Sequence, residues 1–315
     1  MENLKISVLH NASREQIKYD PVPHIILENC LDKDYYDLLE KAYIPDTELL
    51  NFYKKKKSLN DVSPNTRVNI LFNEVTSEKV KWKNSEIWAK FVRYHSSENF
   101  YKDLLNLFAP EIKTICPLLE PMLGTSLEKT PVKPYEDNSI YNSKNDKSIF
   151  LEGDIGINTI SNFTSSVRKH HVDGMQKIFG GLLYFKRADD NATGGDLEFY
   201  RLKYNKTLTI NKSVELNENQ LEFVSKVKYQ PNTAIFWLNS PNAVHNVTPR
   251  GPSNVSRRLI YFSGRVEDKT LFHKGLFPHA WPEQEYWFIR IFKDLNNSII
   301  HLYYKIKKFI SNFFQ

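Results

Sequence analysis

From about Ser148 to Val266 the chain is a succession of short apolar runs, each ended by a polar or Gly/Pro-containing turn. The runs fall at 149–160, 180–187, 195–201, 207–210, 221–229, 233–238 and 257–263. Segments this short have the length of strands, and many of them in sequence, spaced by turns, point to a barrel or a sandwich. Aromatic residues make up 13% of the 315 residues, with 17 Tyr and 20 Phe, and such side chains favour pleated, half-buried surfaces. The expected class is therefore mainly β with helical additions (α+β).

The flanks differ in character. Pro21–Leu31 reads as a short strand, and Asp32–Ala42 as a helix with Asp32 or Asp34 near its start. The Lys-, Ser- and Asn-rich stretch 54–65 reads as a loop, and Arg67–Phe72 as a strand. Ser96–Met122 has helical spacing at Phe100, Leu104, Leu105 and Leu107, with breaks expected near Pro110 and Pro117. Residues 135–148 are polar and turn-rich. Past Val266 the apolar positions return to a helical step, from Phe288 through Ile291, Leu295, Ile299, Leu302, Ile306 and Phe309 to Phe313. The division expected is a mixed α/β support region (1–147), a β core (148–266) and a helical tail (267–315).

Composition narrows the function classes. Hydrophobic residues at 41% and charged residues at 25% suit a packed core rather than disorder. Two distant cysteines, Cys30 and Cys116, make neither a disulfide framework nor a zinc site. The opening residues lack the apolar core of a signal peptide, and no apolar run reaches membrane-spanning length, so a cytoplasmic location is the expectation. The net charge is +6, and from Lys269 to Gln315 seven Lys or Arg face three Asp or Glu. A nucleic-acid substrate would call for a basic groove with interleaved aromatics, and the excess charge lies mainly in the tail, so nucleic acid ranks last among the partners. Lys305, Lys307 and Lys308 beside the apolar stripe leave three roles open for the tail: packing on the core, homodimerisation, or contact with an anionic membrane surface.

The chemistry-bearing residues sit inside the β region. His171-Val-Asp173 places an imidazole and a carboxylate at i and i+2, which point the same way on extended backbone. His245 follows 74 residues later, behind the apolar run TAIFWL. Two imidazoles and one carboxylate can occupy one face of an octahedral iron(II) and leave three positions open. By itself a His-x-Asp is usually structural. The neighbouring His170 cannot head the same motif, because its i+2 residue is Val172.

The order of the surrounding motifs carries more. HHVDGMQKIFGGLLYFK, then GGDLEFY at 194–200, PNTAIFWLNSPNAVHNV at 231–247 and RRLIYF at 257–262 together resemble the prolyl-4-hydroxylase-like branch of the Fe(II)/2-oxoglutarate-dependent dioxygenases. The resemblance covers roughly residues 150–265. It implies a double-stranded β-helix core of jelly-roll or cupin type, with Fe(2+) held by His171, Asp173 and His245 and with 2-oxoglutarate and O2 as cosubstrates. It also implies that a basic residue after His245 binds the far carboxylate of 2-oxoglutarate. Arg257 and Arg258 are the candidates; period-2 alternation puts Arg257 on the face of Leu259 and Tyr261, so Arg257 is favoured. Tyr184 matches a position that can reach the same cosubstrate, or it is simply a core aromatic. Thr159, Asn162, Arg168 and Trp237 are candidate substrate contacts. The implied reaction hydroxylates a C–H bond of an amino-acid, peptidyl or cell-envelope-type substrate and releases succinate and CO2. Halogenating relatives lack the carboxylate ligand, so Asp173 argues for hydroxylation. The competing reading is a non-catalytic β-barrel binding or scaffold protein of the same fold, which would not need three metal ligands and a placed arginine.

Overall fold

The computed structural model describes residues 5–136, 146–203, 216, 218–267 and 271–272. Along the chain run β1 (His24–Glu28), α1 (Lys33–Lys41), α2 (Asp46–Lys57), β2 (Arg67–Leu71), α3 (Phe72–Thr76), α4 (Ser85–His95), α5 (Glu98–Ile115), α6 (Leu119–Leu123) and β3 (Val132–Pro134). Then follow β4 (Ile149–Asn158), β5 (Lys177–Tyr184), β6 (Leu197–Leu202), β7 (Leu221–Val227), β8 (Thr233–Leu238), β9 (Val244–Val247) and β10 (Arg257–Arg265).

Two sheets form. The larger has strand order β1-β8-β5-β10-β4-β2, with β3 added in parallel to β4; the smaller has the order β7-β6-β9. After β5 the chain enters the small sheet for β6 and β7, returns to the large one for β8, leaves again for β9 and comes back for β10. This alternation between two facing antiparallel sheets is a double-stranded β-helix. It explains why TAIFWL is apolar throughout: Ala234, Phe236 and Leu238 pack toward the helices, whereas Ile235 and Trp237 face the space between the sheets.

The helices cover the outer face of the large sheet. Trp88 and Phe91 of α4 and Phe100 and Leu104 of α5 are at most 1% exposed and share one cluster with Ile155, Phe236, Ile260 and Phe262. Fully burying such side chains stabilises by about 1.5–3 kcal/mol each before entropy is counted. Residues 5–136 are not a separate body, because β1, β2 and β3 pair with β8 and β4. The change at 147/148 is therefore one of sequence character within a single packed unit.

Local differences from the sequence reading have physical causes. Lys54–Lys57 belong to α2 and not to a loop; they sit in its last turn, where cations complement the helix dipole, and Ser58 closes it in a left-handed conformation. Pro110 lies inside α5 without ending it. The carbonyl it deprives of a donor is that of Asn106, and both residues are exposed, so water can take the bond. His245, behind the TAIFWL run, stands on a short strand of its own, β9. The run 207–210 and the tail stripe from Phe288 to Phe313 lie outside the described residues. Among the described residues no helix is long and apolar enough to cross a membrane.

Candidate metal centre

The two halves of the site meet through the backbone. His171 and His245 exchange reciprocal N–H···O bonds of 2.9 Å each, a single bridge that places the His-x-Asp segment beside β9 at the edge of the small sheet. The ring centroids are 4.2 Å apart. Each ring is fixed from behind: His171 Nδ1 lies 2.8 Å from the Lys169 carbonyl, and His245 Nδ1 lies 2.9 Å from the Ala243 carbonyl. A carbonyl only accepts, so both Nδ1 atoms carry the proton and both Nε2 atoms keep a free lone pair.

Asp173 completes the group. Its Oδ1 is 4.0 Å from His171 Nε2, and one ligand atom from each of the three residues lies within 4.8 Å of the others. All three are buried. Among the described residues this is the one cluster of three metal-ligating side chains. The donor set therefore fits a divalent first-row ion. The spacing leaves room for an ion at about 2.0–2.2 Å from each nitrogen and oxygen.

The electrostatics hold these ligands in the binding-competent state. Burial, reinforced by His245 and Arg168, drives the His171 imidazolium well below its ordinary pKa, and burial also lowers that of His245. Both rings are thus neutral at physiological pH. For Asp173, burial works upward, but the nearby positive charges, Lys177 first and Arg168 with it, outweigh it and keep the carboxyl below its usual range. A metal needs neutral imidazoles and an ionised carboxylate.

A cavity of about 400 Å³ opens onto the triad. Arg168, Lys177, Leu182, Leu197, Trp237, Val247, Arg257, Leu259 and Tyr261 line it together with the ligands. A larger one, about 680 Å³, lies between β1 and β7 and holds none of the triad, so size does not mark the site. Arg257 is 3% exposed, its guanidinium 5.0 Å from the Tyr184 ring centroid and 4.7 Å from that of Tyr229. One Nη donates to the Gly195 carbonyl at 2.8 Å. Its buried Nε and the buried Tyr184 hydroxyl meet no partner of hydrogen-bond geometry. Buried polar atoms left open in this way are a cradle awaiting an acceptor such as a carboxylate. Arg258 points elsewhere, 3.3 Å from Asp46 and over the Tyr43 ring.

Two glycines make the Arg257 contact possible. Gly194 and Gly195 have φ of +75° and +78°. A Cβ on Gly194 would lie 2.0 Å from the Pro249 carbonyl oxygen, so the turn that presents the Gly195 carbonyl admits no side chain there. Beneath it, Arg250 and Asp190 form a buried ion pair of 2.9 Å that ties this turn to the chain before β10.

Of the proposed substrate contacts, Arg168 and Trp237 line the cavity. Thr159 and Asn162 do not. The Thr159 hydroxyl accepts from the Thr66 N–H and donates to the Ser63 carbonyl, bracing a loop, and Asn162 is exposed on a separate surface depression with Pro64 and Pro252. Nearness to His171 in sequence did not translate into nearness in space. Lys177 escaped the sequence reading: its Nζ donates to the Tyr261 hydroxyl at 2.6 Å and is 3.9 Å from Asp173 Oδ1. Its position i+4 from Asp173, at the start of β5, is the only trace it left in the sequence.

No family model and no curated protein matches this chain. Solved structures do. A prolyl 4-hydroxylase from Phytophthora capsici aligns at 12% identity with a TM-score of 0.42, over 84% of this chain and 66% of its own, so the chain spans just under two thirds of it. A Pseudomonas putida prolyl-4-hydroxylase aligns at 11% identity and a TM-score of 0.38, over 77% and 91% of the two chains. A rice dioxygenase for auxin oxidation aligns at 11% identity and a TM-score of 0.43, over 82% and 79%. At these levels the functional reading rests on the site itself.

Proposed function

We propose that the chain is an Fe(II)- and 2-oxoglutarate-dependent oxygenase that hydroxylates a C–H bond of an amino-acid, peptidyl or cell-envelope-type substrate. The observation that carries this is the meeting, in one cavity, of a buried His-Asp-His group with open Nε2 atoms and a buried arginine whose Nε has no hydrogen-bond partner. His171, Asp173 and His245 would hold the iron, which when bound supplies the activation of dioxygen coupled to oxidative decarboxylation of 2-oxoglutarate to succinate and CO2.

The remaining steps belong to this chain's own groups. Arg257 takes the far carboxylate of the cosubstrate, with the Tyr184 hydroxyl beside it. Leu182, Leu197, Trp237 and Leu259 keep that end of the cavity apolar and exclude water. Lys177, held by Tyr261, keeps Asp173 ionised without competing for its lone pairs at hydrogen-bond distance. The test is succinate release by the purified chain supplied with Fe(II), 2-oxoglutarate and oxygen, against His171→Ala and Asp173→Ala. Release that depends on all three additions and vanishes in both variants supports the reading. Equal background in all samples leaves a non-catalytic barrel.

A further inference from the structure

The cavity wall changes character across the large sheet. Toward β5 and β8 it is apolar, with Leu182 and Trp237. On the edge strand β2 and its neighbour β4 it is polar: Arg67, Asn69, Asp154 and Asn158 all face inward, since Arg67 and Arg257 lie opposite Asn158 and Asn69 lies opposite Gly156. Asn158 is 2% exposed, and its Oδ1 has no hydrogen-bond partner. A buried amide oxygen without a donor is costly unless something else fills the site.

Charge points the same way. Four cationic side chains line the cavity, Arg67, Arg168, Lys177 and Arg257, against two carboxylates, Asp154 and Asp173. Arg67 is paired with Asp154. Lys177 has the Tyr261 hydroxyl and feels Glu152 as well as Asp173. Arg257 is assigned to the cosubstrate. Arg168 lines the cavity with one acidic ion-pair partner among the described residues, Asp173 at 3.8 Å, and its side chain is 42% exposed. A metal ion brings two positive charges and 2-oxoglutarate two negative ones, so loading the site does not change this excess. It does commit Asp173 to the metal and leaves Arg168 without a counter-charge.

We infer that the molecule oxidised here carries an oxyanion group, a carboxylate or a phosphate, which Arg168 holds beside the metal ligands while Asn69 and Asn158 on the polar wall of the same cavity meet its other polar atoms. A guanidinium binds either group through a two-pronged, charge-assisted contact. The apolar wall holds the cosubstrate, and the polar shelf orients the substrate. This deepens the oxygenase reading and rests on it.

The experiment loads the full chain with Mn(II) and saturating 2-oxoglutarate in the absence of oxygen, then titrates acetate and inorganic phosphate by calorimetry. Wild type is expected to bind at least one of them. Arg168→Gln should weaken that binding about tenfold or more, the loss of one charge-assisted contact. Arg168→Lys should retain part of it, and Lys90→Gln, an exposed charge on α4, should change nothing. No anion binding in wild type, or unchanged binding in Arg168→Gln, overturns the proposal. Succinate release then separates the sources. Free amino acids compared with their amides test a carboxylate, and sugar phosphates compared with the sugars test a phosphate. Stimulation by the neutral member of each pair as strong as by the anion also overturns it. Failure of Mn(II) or 2-oxoglutarate to bind sinks the oxygenase reading itself, whereas normal loading with an indifferent Arg168→Gln sinks this inference alone.

Discussion

Replacing Arg257 by alanine tests the site most directly. The guanidinium is almost wholly buried, anchored to the Gly195 carbonyl and packed over two tyrosine rings, so it is already ordered before any ligand arrives. Little side-chain entropy is lost when it meets a carboxylate. Truncating one partner of such a buried, hydrogen-bonded charge pair costs about 2–5 kcal/mol. At 1.4 kcal/mol per decade that is a loss of roughly 30-fold to several-thousand-fold in affinity for 2-oxoglutarate. Calorimetric titration of 2-oxoglutarate into Mn(II)-loaded protein reads it directly, with a melting curve to show that the barrel is intact. Mn(II) affinity itself should not move, because Arg257 is not a ligand. Arg257→Lys should fall between wild type and Arg257→Ala, since an ammonium keeps the charge and loses the fork. Arg258→Ala should bind 2-oxoglutarate normally, as its guanidinium is engaged with Asp46 and Tyr43. The reasoning is refuted if Arg257→Ala binds like wild type, or if Arg258→Ala is the variant that loses binding.

Three further outcomes follow from the same geometry. Asp190→Ala leaves Arg250 buried without its partner and should destabilise the fold by about 3–5 kcal/mol, read as a lower denaturant midpoint; a change under 1 kcal/mol would mean the pair is not buried as found. Gly194→Ala forces a side chain onto the Pro249 carbonyl at a positive φ and should cost at least about 1–3 kcal/mol, with weakened 2-oxoglutarate binding through the displaced Gly195 carbonyl; unaltered stability would contradict the turn. His95, the last residue of α4, is buried among Phe91, Phe100 and Phe262, accepts the Val8 N–H through Nε2 and has its pKa pushed down by burial to about 3. The unfolded chain takes up this proton near pH 6.5 and the folded one does not, so stability is full above that pH and declines below it, by about 2–3 kcal/mol at pH 4.5 from this residue alone. In His95→Gln the acid slope of unfolding free energy should shrink by up to about 1.4 kcal/mol per pH unit; an identical slope would rule out His95 as the source.

How much of this was legible depends on the range over which each signal acts. Alternation along a strand is local, and it was enough to separate Arg257 from Arg258: Arg257, Leu259 and Tyr261 all line the cavity, while Arg258 turns to Asp46. The i, i+2 spacing of His171 and Asp173 is equally local. The helical face of α4, with Trp88, Phe91, Val92 and His95 buried, was also written in the sequence at steps of three, one and three, and went unread beside the stronger β pattern. β9 could not be found this way. VHNV has two polar residues in four and is a strand because β6 pairs along it.

The same distinction separates the site residues that pattern could find from those it could not. His171 and His245 meet because two backbone hydrogen bonds join segments 74 residues apart, and each ring is aimed by a carbonyl two residues before it. The aiming is encoded next to each histidine, whereas the meeting is encoded in the whole path of β5 through β8. Arg67 and Asn69 lie further outside any pattern, since β2 reaches the cavity only by pairing with β4 across 80 or more residues of chain. The residues proposed to hold the metal and the cosubstrate therefore follow from the order of motifs along the β-helix, which is legible in the chain. The polar shelf is shared: Asp154 and Asn158 lie on β4 within that β-helix, and β2 brings Arg67 and Asn69 to it from the N-terminal region.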